Sequence, residues 1–401
     1  MKSVLHTVLL ICLSANSLAP AQPLALQPHV LEYRGERWTL QLPDNLRLDI
    51  LTADLDSPRL MHFLPNGDLL IGSKSGNLYR LPPPYRKPQI LLHLPGYPHS
   101  LAYREGELLI ARTDGLYAAP YKPGQDSIAP DAVKLVTALP GGGGHTSRTV
   151  AIGPDRRVYI ALGISGNCDD EFIGPGYAFQ HRRGGIMVLD ETGDTPQLKP
   201  FASGLRNPVG MDWHPVTREL YASNNGPDHH GFEQPPESFA HLTAGSFHGM
   251  PWYRFDGQGI RRDTCIESDP PLPLSAVTAP VATFPARNAP MGVAFVPAGA
   301  LDARFSNNAI VALRGSWTTR PRGNFQGDPG TRRPPRLMMV QFENDRPAAV
   351  VDIVTGFQRP DGERLARPVG VAVGPDGALY FTSDTGLQGL FRLSADDTAR
   401  Q

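Results

Sequence analysis

The sequence predicts an all-β chain folded as a six-bladed β-propeller of four-stranded antiparallel blades, and three observations carry that expectation. One phrase recurs six times along the 401 residues. Gly and Pro are abundant, 41 of each, without a strict period, which means many turns. No segment sustains a 3.6-residue apolar period for four turns, so long helices are not expected.

In the repeated phrase a small or kinking residue, usually proline, precedes an apolar strand, a tight turn follows, and a second apolar strand closes. The copies are PRLMHFLPNGDLLIGS from Pro58, PHSLAYREGELLIAR from Pro98, SRTVAIGPDRRVYIAL from Ser147, PVGMDWHPVTRELYAS from Pro208, PMGVAFVPAGA from Pro290 and PVGVAVGPDGALYFTS from Pro368. Val371 and Val373 alternate about Ala372 with the strand period, and Asn66-Gly67 or Asp376-Gly377 supplies a hairpin turn. Third strands follow as GNLYRL, GLYAAPY, GGIMVLD and GLFRL. A unit of this kind returning every ~40 to 50 residues is a propeller blade. The spacing stretches to about 80 residues after Pro208 and after Pro290, so long loops belong there. An open β-sandwich would leave the recurring Pro-x-Gly without a reason. HVLEYRGERWTLQLP, residues 29–43, is expected to pair with the last blade and close the ring.

Residues 22–401 thus read as one domain. Before them, MKSVLHTVLLICLSANSLAPAQPL has a basic start at Lys2, a short apolar stretch from Val8 to Leu13 and the small-residue site Ala19-Pro20-Ala21. Residues 1–21 are expected to be a signal peptide, with a periplasmic or secreted mature chain. Cys168 and Cys265 would remain, an even pair for which a disulfide is plausible. There is no CxxCH motif for a covalent haem.

With 38 basic and 39 acidic residues, composition gives no sign of a nucleic-acid or membrane-surface partner. Yet the residues just before each repeated phrase are polar and mostly basic: His99, His145 with Arg148, Arg206-Asn207, Arg287-Asn288 and Arg367. In a propeller these positions converge on one mouth of the channel, which suits an anionic ligand, a polycarboxylate or phosphate; pairing with acidic neighbours is the alternative. Four glycines, Gly141 to Gly144, precede His145, as if a ligand must approach the backbone there. In NNGPDHHGFEQPPE, residues 224–237, the adjacent His229 and His230 are expected to point apart. Carbonyls at its Gly-Pro kink, with carboxylates nearby, better suit a hard cation such as Ca²⁺.

The stretches GHTSRTVAIGPD, GLRNPVGMDWHP, NNGPDHHG, GSFHGMPWY, RGSW and RPVGVAVGPDGALYFTSD occur in this order and resemble the soluble PQQ-dependent sugar dehydrogenases, the glucose/sorbosone dehydrogenase family, above all its sorbosone-dehydrogenase-like branch. The match spans about residues 43–393. The resemblance implies a six-bladed propeller holding pyrroloquinoline quinone (PQQ) and Ca²⁺, and oxidation of an aldose or related aldehyde to the lactone or acid. It implies His145 as general base, Arg206 as both catalytic and cofactor-binding, and Asn207 and Arg367 as cofactor contacts, while Arg148 and Asn225 occupy neighbouring cofactor-binding positions. The carbonyls of Gly226 and Pro227 would hold Ca²⁺, and Arg314 stands in for a cofactor lysine. Three positions depart from the well-known soluble glucose dehydrogenases: Val369 replaces a second arginine, Asn225 a glutamine and Gly144 an aspartate. A Ca²⁺-dependent lactonase and a non-catalytic sugar- or protein-binding propeller are the rival readings. Electrons are expected to leave to a separate acceptor. Trp252, Tyr253 and Trp317 either line a sugar wall or pin their loops, and residues 318–336 form a basic, turn-rich stretch that would be a solvated loop or a docking site for an acidic acceptor.

Overall fold

Five of the six repeated phrases form the inner hairpin of a blade of four antiparallel strands in the computed structural model, which describes residues 24–396; the fifth phrase supplies the inner strand alone, and its partner Ala309–Leu313 follows after a longer connection. The expected leader, residues 1–21, lies outside them. The innermost strands are Pro58–Phe63, Ser100–Arg104, Arg148–Ile152, Pro208–Trp213, Pro290–Phe295 and Ala366–Val373, one per blade. Consecutive innermost strands pack side by side and the sixth meets the first, so the sheets form a closed six-bladed ring. Among the described residues there is no α-helix, and no helix long and apolar enough to cross a membrane.

The recurring Pro-x-Gly has a packing cause. A methyl group on Gly210 would lie 2.2 Å from the Met291 carbonyl oxygen, one on Gly292 2.7 Å from that of Val369, and one on Gly370 2.5 Å from that of Arg59. Each glycine therefore lets the next blade's backbone close onto the channel wall, which a side chain would forbid.

The ring is closed by a different strand from the one expected. Leu46–Thr52 is the outermost strand of blade six, antiparallel to Gly389–Ala395. Residues 29–43 instead fold on themselves as a hairpin, Leu26–Tyr33 with Glu36–Pro43, turning at Arg34 and Gly35 with positive φ. The hairpin leans on the outer end of blade five, where Gln41 pairs with Thr355 and Trp38 lies under Arg359 at 4.0 Å. Both segments alternate well; the hairpin wins for residues 29–43 because its partner is only a turn away.

The long connections fall where the spacing placed them. Residues 243–281 of blade four carry a small hairpin, Tyr253–Phe255 with Ile260–Arg262, and Ser246–Phe247 joins blade three as a parallel fifth strand. Trp252 is fully buried among Phe172, Phe247 and Tyr253, with its indole N–H on Ser268, so it pins the loop and lines no sugar wall. Cys168 and Cys265 form the disulfide, tying loops of blades three and four. Trp317 stays 51% exposed beside the 68% exposed Phe325 in the blade-five insertion.

Candidate functional site

His145 sits at the end of a loop held from beneath by two buried guanidiniums. Arg148 donates to the carbonyls of His145, Ser147 and Pro140. Arg183 donates to those of Gly163, Gly141, Gly142 and His145 and to Ser165 Oγ. The glycines before His145 serve this cradle. Gly142 and Gly143 have φ of +79° and +75°, and a methyl group on Gly143 would lie 2.7 Å from Ser165 Cα. The chain's own Ser165 thus accounts for Gly143, and Arg183 fixes the path of the two glycines before it through their carbonyls.

The imidazole is aimed by one hydrogen bond, His145 Nδ1 to the Ile164 carbonyl at 2.5 Å. A carbonyl only accepts, so the proton lies on Nδ1 and, among the described residues, the Nε2 lone pair has no hydrogen-bond partner. Burial, reinforced by the Arg206 charge, lowers the His145 pKa to about 3. The ring is therefore neutral through the whole physiological range, the state a proton acceptor needs.

Arg206 and Asn207 flank this ring. A methyl group on Gly163 would lie 2.6 Å from Asn207 Oδ1, 2.9 Å from His145 Cβ and 3.0 Å from the Arg206 carbonyl oxygen, so the three residues converge on one backbone point. Arg206 Nη2 donates to Asn167 at 2.6 Å and Asp228 at 3.3 Å, while Arg206 Nε and Asn207 Oδ1 are buried without hydrogen-bond partners among the described residues. Asn225 gives its amide N–H groups to the Pro290 and Asn207 carbonyls, bracing blade four against blade five.

The opposite side of the mouth, from blades five, six and one, gathers three guanidiniums around one carboxylate. Asp384, 6% exposed in its side chain, accepts from Arg59 at 2.5 Å and from Arg314 at 2.9 Å. Burial alone would raise its pKa; Arg59 and Arg314, with Arg367 nearby, overcome that and hold it below the usual carboxylate range. Arg367 donates to the carbonyls of Arg314 and Gly315. Three positive charges against one leave a net positive surplus, the electrostatics of an anion site. Val369 points into the core instead, fully buried.

At the Gly226-Pro227 kink the departure from expectation lies at the Pro227 carbonyl. The Gly226 N–H donates to the buried Glu237 carboxyl, whose pKa burial raises to about 7 against the pull of that hydrogen bond, Arg206 and Arg287. The Pro227 carbonyl, expected to hold Ca²⁺, accepts from Arg287 Nη1. The residues present therefore do not fit a calcium ion at that carbonyl. His229 and His230 do not point apart: both Nε2 atoms meet the buried Asp263, at 2.9 and 3.0 Å, beside the disulfide. Free rotation about the two side chains lets neighbours on one kinked loop share a carboxylate.

The structure thus brings His145, Arg206 and Asn207 together, and Arg314 with Arg367. Arg148, expected on a cofactor, is 0% exposed and serves backbone carbonyls instead. His99 is likewise internal, with Nδ1 on the Arg148 carbonyl. Arg59, Arg183, Glu237 and Asp384 were missed. Asp384, at the end of a second strand in FTSD, had a signal: that end of blade six is the end where Arg367 begins. For planar PQQ with its three carboxylates the fit is better than for calcium, since the mouth gathers guanidinium donors, Arg206 on one side and Arg59, Arg314 and Arg367 on the other, in excess of the carboxylates that pair with them.

Residues 124–321 match the family model described as glucose/sorbosone dehydrogenase. The chain is similar to the PQQ domain of pyranose dehydrogenase from Coprinopsis cinerea, at 18% identity and TM-score 0.68, over 89% of this chain and 97% of that one. A Trichoderma reesei carbohydrate-active enzyme of family AA12 matches at 17% identity and TM-score 0.72, over 95% and 100%. The soluble aldose sugar dehydrogenase of Escherichia coli matches at 15% identity and TM-score 0.63, over 87% and 99%. At such identities the structural likeness bears on the fold.

Proposed function

We propose, from the premise that this chain carries a glucose/sorbosone dehydrogenase domain, that it oxidises an aldose or related sugar aldehyde at the anomeric carbon, with PQQ as cofactor and His145 as base. The observation that carries this reading is the neutral imidazole whose Nδ1 is tied to the Ile164 carbonyl and whose Nε2 is left free beside Arg206.

PQQ, when bound, supplies a two-electron acceptor for the hydride that leaves the sugar carbon. The chain's own residues do the rest. His145 Nε2 takes the proton of the anomeric hydroxyl, and the Ile164 carbonyl keeps the accepting nitrogen turned outward. Arg206, fixed by Asn167 and Asp228, stabilises negative charge that develops on a neighbouring oxygen, a contribution of ~3 kcal/mol for one well-placed donor. Asn207 offers an amide beside it, and Arg314 and Arg367 would hold carboxylates. No step is assigned to calcium.

The domain would work in the periplasm or outside the cell and pass electrons to a separate acceptor; the signal-peptide pattern and the disulfide support an oxidising compartment. The test is dye-linked oxidation across a panel of aldoses, with and without PQQ. PQQ-dependent turnover with bleaching of the quinone absorbance is expected. No turnover, and no change in Tm on adding PQQ, would leave a binding propeller.

A further inference from the structure

We propose that the Arg287 guanidinium is the built-in cation of this site, filling the oxygen cage at the Gly226-Pro227 kink that a calcium ion would otherwise need. Arg287 donates to five oxygens of a single loop. They are the Pro227 carbonyl, the Asp228 carbonyl at 2.8 Å, Asp228 Oδ1 at 3.0 Å, the Gly231 carbonyl and the Gln234 carbonyl at 3.0 Å. Four carbonyls and a carboxylate are the donor set of a hard cation, which takes roughly six to eight such oxygens. Here a planar, permanently charged group uses them, reaching the loop in several directions at once.

Two further observations point the same way. The backbone of Arg287 lies at φ +66°, a left-handed conformation that disfavours side chains, and Ala289 follows at +51°. The fold tolerates that strain at the residue whose side chain is aimed into the cage, 2% exposed. Asp228 is also shared between Arg287 and Arg206, so its charge is already matched twice. A divalent ion added there would face two guanidiniums a few ångströms away, and the other carboxyl at the kink, Glu237, already takes the Gly226 N–H.

The cation assignment rests on these contacts; only its consequence for cofactor binding rests on the PQQ reading. The experiment compares the full chain with Arg287→Gly, whose backbone suits that φ, and with Arg287→Lys, which keeps the charge but loses the fork. Tm and calcium uptake by equilibrium dialysis are read in millimolar Ca²⁺ and in EGTA. The parent is expected to take up no stoichiometric calcium and to melt at the same temperature in both. Arg287→Gly should melt roughly 5 °C or more lower, and Ca²⁺ or guanidinium ion should recover part of the loss. Arg287→Lys should fall between, still indifferent to calcium. One Ca²⁺ per parent chain with a raised Tm would overturn the proposal, as would a glycine variant that melts like the parent. A PQQ titration in the same two buffers separates the two readings. No PQQ binding in either buffer would sink the quinone assignment alone, whereas parent affinity that rises more than tenfold with Ca²⁺ would sink this one.

Discussion

The two sides of the mouth use the same residue type in opposite ways. On the side of blades three and four, Arg148, Arg183 and Arg287 give most of their hydrogen bonds to backbone carbonyls and act as internal ties. On the side of blades five, six and one, Arg59 and Arg314 pair with one carboxylate while Arg367 lies nearby on the Arg314 and Gly315 carbonyls, and the three keep a positive surplus. The first side holds a neutral base in place; the second attracts charge. An arginine count at a channel mouth therefore says little until each guanidinium's acceptors are known.

The comparison breaks most sharply at His145. His145→Ala is expected to lower kcat by about 10² to 10⁴ while Tm stays near the parent's, read by steady-state kinetics and calorimetry. The pH profile sharpens this. Because the folded pKa is lowered to about 3, the acid limb of kcat/KM set by this ring should lie near pH 3 and not near 6.5. The sign for stability follows: a histidine depressed on folding favours the native state above its unfolded pKa, and that contribution is lost as pH falls from about 6.5 toward 3.

Asp384→Asn tests the other side. Removing the carboxylate leaves three guanidiniums uncompensated and should cost about 3 kcal/mol by urea unfolding, with anion affinity at low salt rising rather than falling. A variant that unfolds like the parent would mean that the surplus is carried elsewhere. Gly163→Ala separates position from chemistry, because its methyl group would push on His145 and Asn207 together. Activity should fall by roughly 10²-fold with the β signature in circular dichroism unchanged. Replacing Cys168 and Cys265 by serine should remove about 2–4 kcal/mol of stability, by calorimetry, while leaving kcat within a few-fold.

Local signals made the blades legible. Strand alternation and Asn-Gly or Asp-Gly turns act over a few residues, so all six inner strands were readable, with the second strand of every blade but the fifth, and Gly210, Gly292 and Gly370 mark their contacts with the next blade. Ring closure was not, because LRLDILT and ERWTLQLP alternate equally well and the winning partner lies at the far end of the chain. His145, Arg206 and Asn207 could be read because residues before each inner strand must converge. Arg148 and Pro227 could not be, since their roles depend on how the loops at 140–147 and 227–234 fold around a guanidinium. Residue type announces a charge; only the loop path says what neutralises it.

The strand Leu46–Thr52 also sets a timetable. Its partner, Gly389–Ala395, leaves the ribosome about 340 residues later, a wait of roughly 20–70 s at ordinary elongation rates. For that interval an early strand has a bare hydrogen-bonding edge and blade six does not exist. The first five blades can assemble as they emerge, but the ring latches only at the last moment. A nascent chain stalled before Gly389 should therefore be far more sensitive to protease than the finished one, out of proportion to the few residues it lacks.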